Sequence, residues 1–370
     1  MSLLQHLQIV QDPRTHRTRR HELQSILAVA LCATIAGADN WVEVAEFGQL
    51  HCDWFARFVP LPAGMASHDT FARVFRLLDA QQLEQACQQW LGQLAGQVQG
   101  TVAIDGKSVR GSRKGDAPKA LHMVSAWAAD MGLLLGQRKV DGKSNEITAI
   151  PELLRLLHLS GCIVTIDAIG CQKDIAAQLH AHGADYVLSL KANQRHMHAV
   201  VKKHFESDQD VALQSSYSES FKGHGRQELR SYRVRPIPEA LRRAAAHWPG
   251  LSCIVQVTRQ RKQLRQGNTS QEVSYYVSSL PAHTGAQVLA HSIRAHWSVE
   301  NQLHWSLDVA MREDAAQSYK DQGPHNQSLL RRMALQMLKS DTSVKIGVQA
   351  KRKRAGWDTN YLAQILGVKI

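Results

Sequence analysis

The chain reads as an α/β protein, with a mixed sheet as its core, a helical segment in front and a β-rich insertion within. Three observations predict this. Over residues 1–98 apolar side chains recur at helical spacing. From residue 101 short apolar runs alternate with helical stretches, and between 211 and 290 strand-like alternation returns. With 370 residues there is enough chain for one large core and appended segments. A hydrophobic content of 44% and a charged content of 21% fit an ordinary globular protein.

Taken in order, the helical segment (1–98) contains expected helices at 22–37, 41–58, 67–79 and 81–97. In SHDTFARVFRLLD (67–79), Phe71, Val74, Phe75 and Leu78 share one face while Arg73 and Arg76 point elsewhere. Ser67 and Asp69 are the capping residues. Such a set of helices fits a DNA-binding module and fits equally a helical cap with solvated arginines. Residues 99–210 form the first part of the core. Strands are expected at 101–105, 121–130 and 132–140, then a helix at 146–158, strand 162–167, helix 172–182, strand 185–191 and helix 194–206. Three strands followed by alternating helices and strands make a sheet that starts antiparallel and finishes parallel. In the insertion (211–290), RQELRSYRVR, LSCIVQVTRQ and VSYYVSSL alternate as strands do. Helix resumes at 291–345, and 346–370 reads as a basic tail, KRKR (351–354), with a closing helix.

Lys and Arg number 44 against 32 Asp and Glu, a net charge of +12, which favours a polyanionic partner. The longest apolar run, ILAVALCATIAGA (26–38), is shorter than the roughly 20 residues that cross a bilayer, so no membrane partner is expected. The N-terminal residues lack the basic, apolar, small-residue order of an export signal, so a cytoplasmic, nucleoid-associated location is expected. Six scattered cysteines without C-x-x-C read as free thiols, not as a zinc site or a disulfide frame.

The candidate chemistry lies in three acids. Asp105 closes TVAID and Asp167 closes CIVTID, both at strand ends, where open α/β sheets bind ligands. Buried carboxylates on neighbouring strands repel unless cations sit between them, and hard ions such as Mg²⁺ prefer oxygen donors. Glu300 in HWSVENQLHW (296–305) is the third candidate. Trp297, Leu303 and Leu307 at helical spacing are expected to pin its helix to the sheet. Each aspartate alone is read as easily as a structural acid.

At this point the chain resembles bacterial insertion-sequence transposases of the DDE superfamily, in the branch of the H-repeat-associated proteins. DPRTHRTRRHELQSILAVALCATIAGADNW, SHDTFARVFRLLD, AIDGKSVRGS, TIDAIGCQ, YVLSLKANQ, GHGRQELR and RAHWSVENQLHWSLDVAMRED carry the resemblance in order along nearly the whole chain. It implies a ribonuclease H-like mixed-sheet catalytic core. It also implies Asp105, Asp167 and Glu300 as ligands of Mg²⁺ or Mn²⁺, and DNA cleavage followed by joining of the 3′-OH to target DNA. A homodimer pairing two DNA ends is implied as well. The broader group's Tyr, Arg, Glu, Lys signature is not met, since His296 and Leu307 occupy the offsets of its Arg and Lys. Rival readings are a metal-dependent nuclease without strand transfer and a non-catalytic DNA-binding protein.

Lys107, Arg110, Lys191, Lys222, His224, Arg226 and Arg294 flank the acid motifs or sit in the insertion. They are candidate DNA phosphate contacts, and each is equally readable as a solvated charge. DGKS, at 105–108 and 141–144, lacks the glycine of a phosphate-binding loop, with Thr101 and Gln137 in its place. The pairs His180/His182 and His196/His198 have no third ligand at metal spacing. His304 either orients Glu300 or packs.

Overall fold

The computed structural model describes residues 2–113, 120–141, 145–207, 215–223, 225–265 and 267–368. The N-terminal segment forms α1 (Leu3–His6), α2 (Leu23–Ala36), α3 (Trp41–Leu50), α4 (Cys52–Phe55), α5 (His68–Leu77) and α6 (Ala80–Ala95). The helix expected over 41–58 is two pieces, because the backbone leaves helical geometry at His51 (φ −112°, ψ 23°). α5 starts as expected, with the Ser67 hydroxyl accepting from the Thr70 N–H. α2 is apolar all round and buried on every side, as befits a central helix. Gly37 ends it at φ 117°, where Ala38 N–H bonds back to Ala33 O.

The core follows as β1 (Thr101–Val109), β2 (Leu121–Ala128), β3 (Leu133–Lys139), α7 (Glu146–Leu154), β4 (Ile163–Ile166), α8 (Lys173–Ala181), β5 (Asp185–Leu190) and α9 (Arg195–Glu206). The insertion adds β6 (Ser215–Gly223), β7 (Arg226–Pro236), a short α10 (Arg242–Ala245), β8 (Cys253–Gln263) and β9 (Thr269–Ser278). Among the described residues these nine strands join one sheet in the order β3-β2-β1-β4-β5-β9-β8-β7-β6. β1, β4 and β5 are parallel, and β2 runs antiparallel to its neighbours β1 and β3, which is the ribonuclease H-like arrangement. β9 pairs antiparallel with β5 from Val187↔Ser278 to Leu190↔Tyr275, so the insertion prolongs the core sheet across what would be a bare edge.

Alternation splits the sheet between two cores. Val102, Ile104, Val124 and Ala126 face α7 and α8, while Ala103, Trp127 and Leu134 share a core with α2, α5 and α6. α11 (Ala286–His296) covers a third, smaller core on β5, β7 and β8, and the second core is completed by the elements after it: a π-helix (Val299–His304), α12 (Trp305–Val309), α13 (Gly323–Ser340), α14 (Val348–Trp357) and α15 (Thr359–Leu366). α13 and α14 both lie against α2.

The KRKR run is neither tail nor linker. It lies in α14, and Lys351 and Arg352 are buried. Lys351 Nζ donates to Leu338 O (2.9 Å) at the end of α13. Arg352 donates to Thr34 O (3.0 Å) at the end of α2 and pairs with Asp39 (3.1 Å). Each cation meets the carbonyl-rich, negative end of a helix, which explains burial of so polar a sequence. Among the described residues no single helix is long and apolar enough to cross a membrane.

Candidate active site

β1 and β4 run parallel with Ile104 opposite Ile166, so the next residue on each, Asp105 and Asp167, are neighbours across about one strand spacing, ~4.8 Å of backbone. β4 ends there and the chain turns, with Asp167 Oδ1 accepting from the N–H of Ile169 (3.0 Å) and Gly170. Glu300 arrives from the π-helix, in which the Trp305 N–H reaches back five residues to Glu300 O. Val299, Leu303 and Leu307 are buried and seat this segment on the sheet. The tryptophans do not: Trp297 is 49% exposed and Trp305 60%. Trp297, expected to help pin the helix, therefore does not; Val299 takes that place on the buried stripe with Leu303 and Leu307.

Asp105, Asp167 and Glu300 line one cavity of about 270 Å³, together with Lys191, Arg259 and Glu272. Burial, and then the charges of Asp167, Glu146 and Glu300, push the Asp105 carboxyl up to about 7. Asp167 is raised too, by burial and by Glu146, against the pull of its two backbone hydrogen bonds and Lys191. His304 Nδ1 lies 3.6 Å from Asp105 Oδ2. Burial drives that imidazole down to about 3, so it stands beside Asp105 uncharged and gives it no ion pair.

Glu146, at the start of α7, is a carboxylate that sequence reasoning passed over. The His122 Nε2–H donates to it (2.6 Å) and His122 Nδ1 accepts from the Ser108 hydroxyl (2.8 Å), the tautomer that satisfies both contacts. This chain presses on β1 beside Asp105. A Cβ at Gly106 would stand 2.2 Å from Glu146 Oε1 and 2.5 Å from His122 Nε2. The spacing of IDGK to a helix-starting Asn145-Glu146 was the available signal, but the pairing of β1 with β2 had to be known before it meant anything.

The donor set fits a hard divalent cation: it is all oxygen, with Asp105 and Asp167 half-buried and Glu300 exposed at the rim, and the mutual repulsion that raises Asp105 is what a cation would relieve. Among the described residues no group of three or more His, Cys, Asp or Glu side chains could hold an ion unaided as it stands. Mg²⁺ seldom needs such a cage, because water and substrate phosphate supply most of its ligands.

The expected phosphate contacts fall into three groups. Lys191, Arg226 and Arg294 border the acid cavity or the clefts next to it. Arg110 and Lys222 are exposed away from those linings, Arg110 with its N–H on Asp314 (3.0 Å). Lys107 is not at the surface: it is buried between Asp308 (2.7 Å), Asp314 (3.0 Å) and Glu313 (3.4 Å). Odd-numbered β1 residues face the α12 side, so Lys107 follows Asp105 inward and finds its partners there. His224 lies outside the described residues.

Two families match the chain in succession: one described as DDE_Tnp_1-associated over residues 4–91, and Transposase DDE domain over residues 96–337. "Putative transposase YncI" of Escherichia coli O157:H7 is 38% identical over 99% of this chain and 94% of its own length. "H repeat-associated putative transposase YhhI" of Escherichia coli K12 is 36% identical over 98% and 97%. A cryo-EM structure of a piggyBac transposase synaptic complex with hairpin DNA aligns at a TM-score of 0.45 and 10% identity, over 96% of this chain and 75% of that one.

Proposed function

The chain belongs to the DDE transposase family, and from that premise we propose that it cuts DNA ends and joins the freed 3′-OH to target DNA at the cavity of Asp105, Asp167 and Glu300. The observation that carries this reading is the convergence of three acids, from β1, the end of β4 and the π-helix, on one cavity. Asp105 and Asp167 would hold the cations from adjacent strands, and Glu300 would close the site from the helical side. When bound, a pair of Mg²⁺ or Mn²⁺ ions would activate the attacking oxygen and stabilise the departing 3′ oxygen. Lys191 and Arg259, on the same cavity wall, counter the charge of the phosphate being attacked. Transposition pairs two ends, so a homodimer on DNA is part of the proposal.

The test is incubation of duplexes from the DNA flanking the reading frame with Mg²⁺ and an unrelated target plasmid. Wild type should nick the duplex and become able to join it to the plasmid. Asp105→Ala and Glu300→Gln should fall to background in both steps while still shifting the duplex in a gel. An Asp105→Ala protein that still cuts refutes the assignment, and cutting without joining reduces the enzyme to a nuclease.

A further inference from the structure

Side chains of β7 and β8 that share a face with α11 change character along the strands. Tyr232, Val234, Cys253, Val255 and Val257 are the buried core under α11. Further out the same parity places Arg226 and Arg230 on β7 and Arg259 and Arg261 on β8, with Arg230 directly opposite Arg259. Arg294 comes to meet them from the last turn of α11. These five arginines line a cleft of about 450 Å³, with Trp297 as one wall. Trp297 and Arg259 also line the acid cavity, so the two spaces adjoin.

Carboxylates hold several of these guanidiniums in place. Glu228, itself buried, binds Arg261 (2.9 Å) and Arg230, Glu219 binds Arg294 (3.0 Å), and Glu272 binds Arg259. Arg230 and Arg261 together hold the Glu228 carboxyl below its usual range, against its burial. Five cations against three anions leave the cleft positive. A guanidinium anchored on one edge keeps its remaining N–H groups aimed outward, the form in which arginine grips phosphate.

The N-terminal helices are built otherwise. Their apolar faces are spent on the core shared with α13, and Arg76 is tied to Asp321 (2.7 Å).

We infer that the arginine cleft between β7, β8 and the end of α11 is the principal seat of the DNA backbone, and that it feeds the strand past Trp297 into the acid cavity. This rests on the transposase reading and specifies which surface of the protein carries the DNA. Arg230, Arg259 and Arg261 join Arg226 and Arg294 as phosphate ligands, and the insertion strands, not the N-terminal helices, supply most of the affinity.

The experiment measures anisotropy of a fluorescein-labelled duplex from the flanking DNA, titrated at several KCl concentrations, in an Asp105→Ala background. Log K should fall linearly with log salt, and each lost phosphate contact lowers the slope by about 0.9. The pair Arg226→Ala with Arg259→Ala should reduce the slope by nearly two. The pair Arg17→Ala with Arg73→Ala, on exposed N-terminal positions, should leave it unchanged. Arg226→Glu alone, at an exposed strand end, is a second variant that leaves the buried Glu228 pairs intact, and it should weaken binding more than tenfold. An unchanged slope in the cleft pair, or a loss confined to the N-terminal pair, overturns the inference while leaving the acid site untouched. A wild-type chain that binds no duplex overturns the transposase reading itself.

Discussion

At the scale of single residues, the three acids that share the cavity stood out in the sequence only as a set, since each aspartate alone reads as easily as a structural acid. What surrounds them was not legible, because it depends on which strands pair. Gly106 shows the difference: in the sequence it is a small residue after Asp105, and in the fold it is the gap that admits Glu146 and His122. Gly106→Ala should therefore displace the Ser108–His122–Glu146 chain and shift the strand that carries Asp105. We expect DNA cutting to drop by at least about tenfold, the scale of a ~1.4 kcal/mol disturbance, with a melting temperature only slightly lowered. Ser108→Ala, which removes the far end of the chain and adds no atom at β1, should be much milder. Equal losses in the two variants would mean that the hydrogen-bond chain matters and the close approach does not. Lys107 carries the same lesson, since a basic residue two positions after a candidate metal-binding acid looks like a phosphate ligand until the strand's parity turns it inward to Glu313. There Arg332 and Lys107 outweigh burial and hold the Glu313 carboxyl below its usual range.

At the scale of elements, most of the core strands were readable as apolar runs, and β6 was not. SSYSESFKG buries almost nothing and alternates polar with polar, so hydrophobic periodicity has nothing to detect, and only its ladder with β7 makes it a strand. The π turn was equally hidden, because i→i+5 bonding leaves the composition of a helix unchanged. Val299 and Leu303 bracket Glu300 on the buried side, and Glu300 lines the cavity from within the π turn while Leu303 and Leu307 stay seated. Deleting Gln302 should restore ordinary α-helical winding, rotating everything before it by about 100° relative to Leu303. Glu300 would then leave the cavity. Cutting should be lost outright, whereas DNA affinity should fall only in part, because Arg294 and Trp297 turn with the displaced segment while the arginines of β7 and β8 stay in place, as read by nicking and gel-shift assays on the same duplex. If the deletion variant still cuts, Glu300 is not directed by the π turn.

At the scale of the whole molecule, segments that read as separate pieces share one interior. The first hundred residues, the third-acid region and the last twenty all contribute to the core that also receives Trp127 and Leu134 from the sheet. Linear reading separates what is distant in sequence, and the basic run at 351–354 encouraged that separation by looking solvated. The contacts argue that the C-terminal helices are part of the fold. Tyr361, Leu362 and Leu366 are each nearly fully buried, and at roughly 1.5–3 kcal/mol per buried apolar side chain they contribute about 5–9 kcal/mol. That is comparable to the whole net stability of a typical domain, about 5–15 kcal/mol. Arg352 adds to this, because its loss leaves Thr34 O and the end of α2 without their buried donor. A chain ending at residue 345 should therefore not behave as a folded enzyme lacking a tail. It should expose α2, lose its cooperative thermal transition and be cleaved within α2 by a protease that leaves the full chain intact. A truncated protein that melts cooperatively near the full-length temperature would mean that the helices beyond 345 merely rest on a core complete without them.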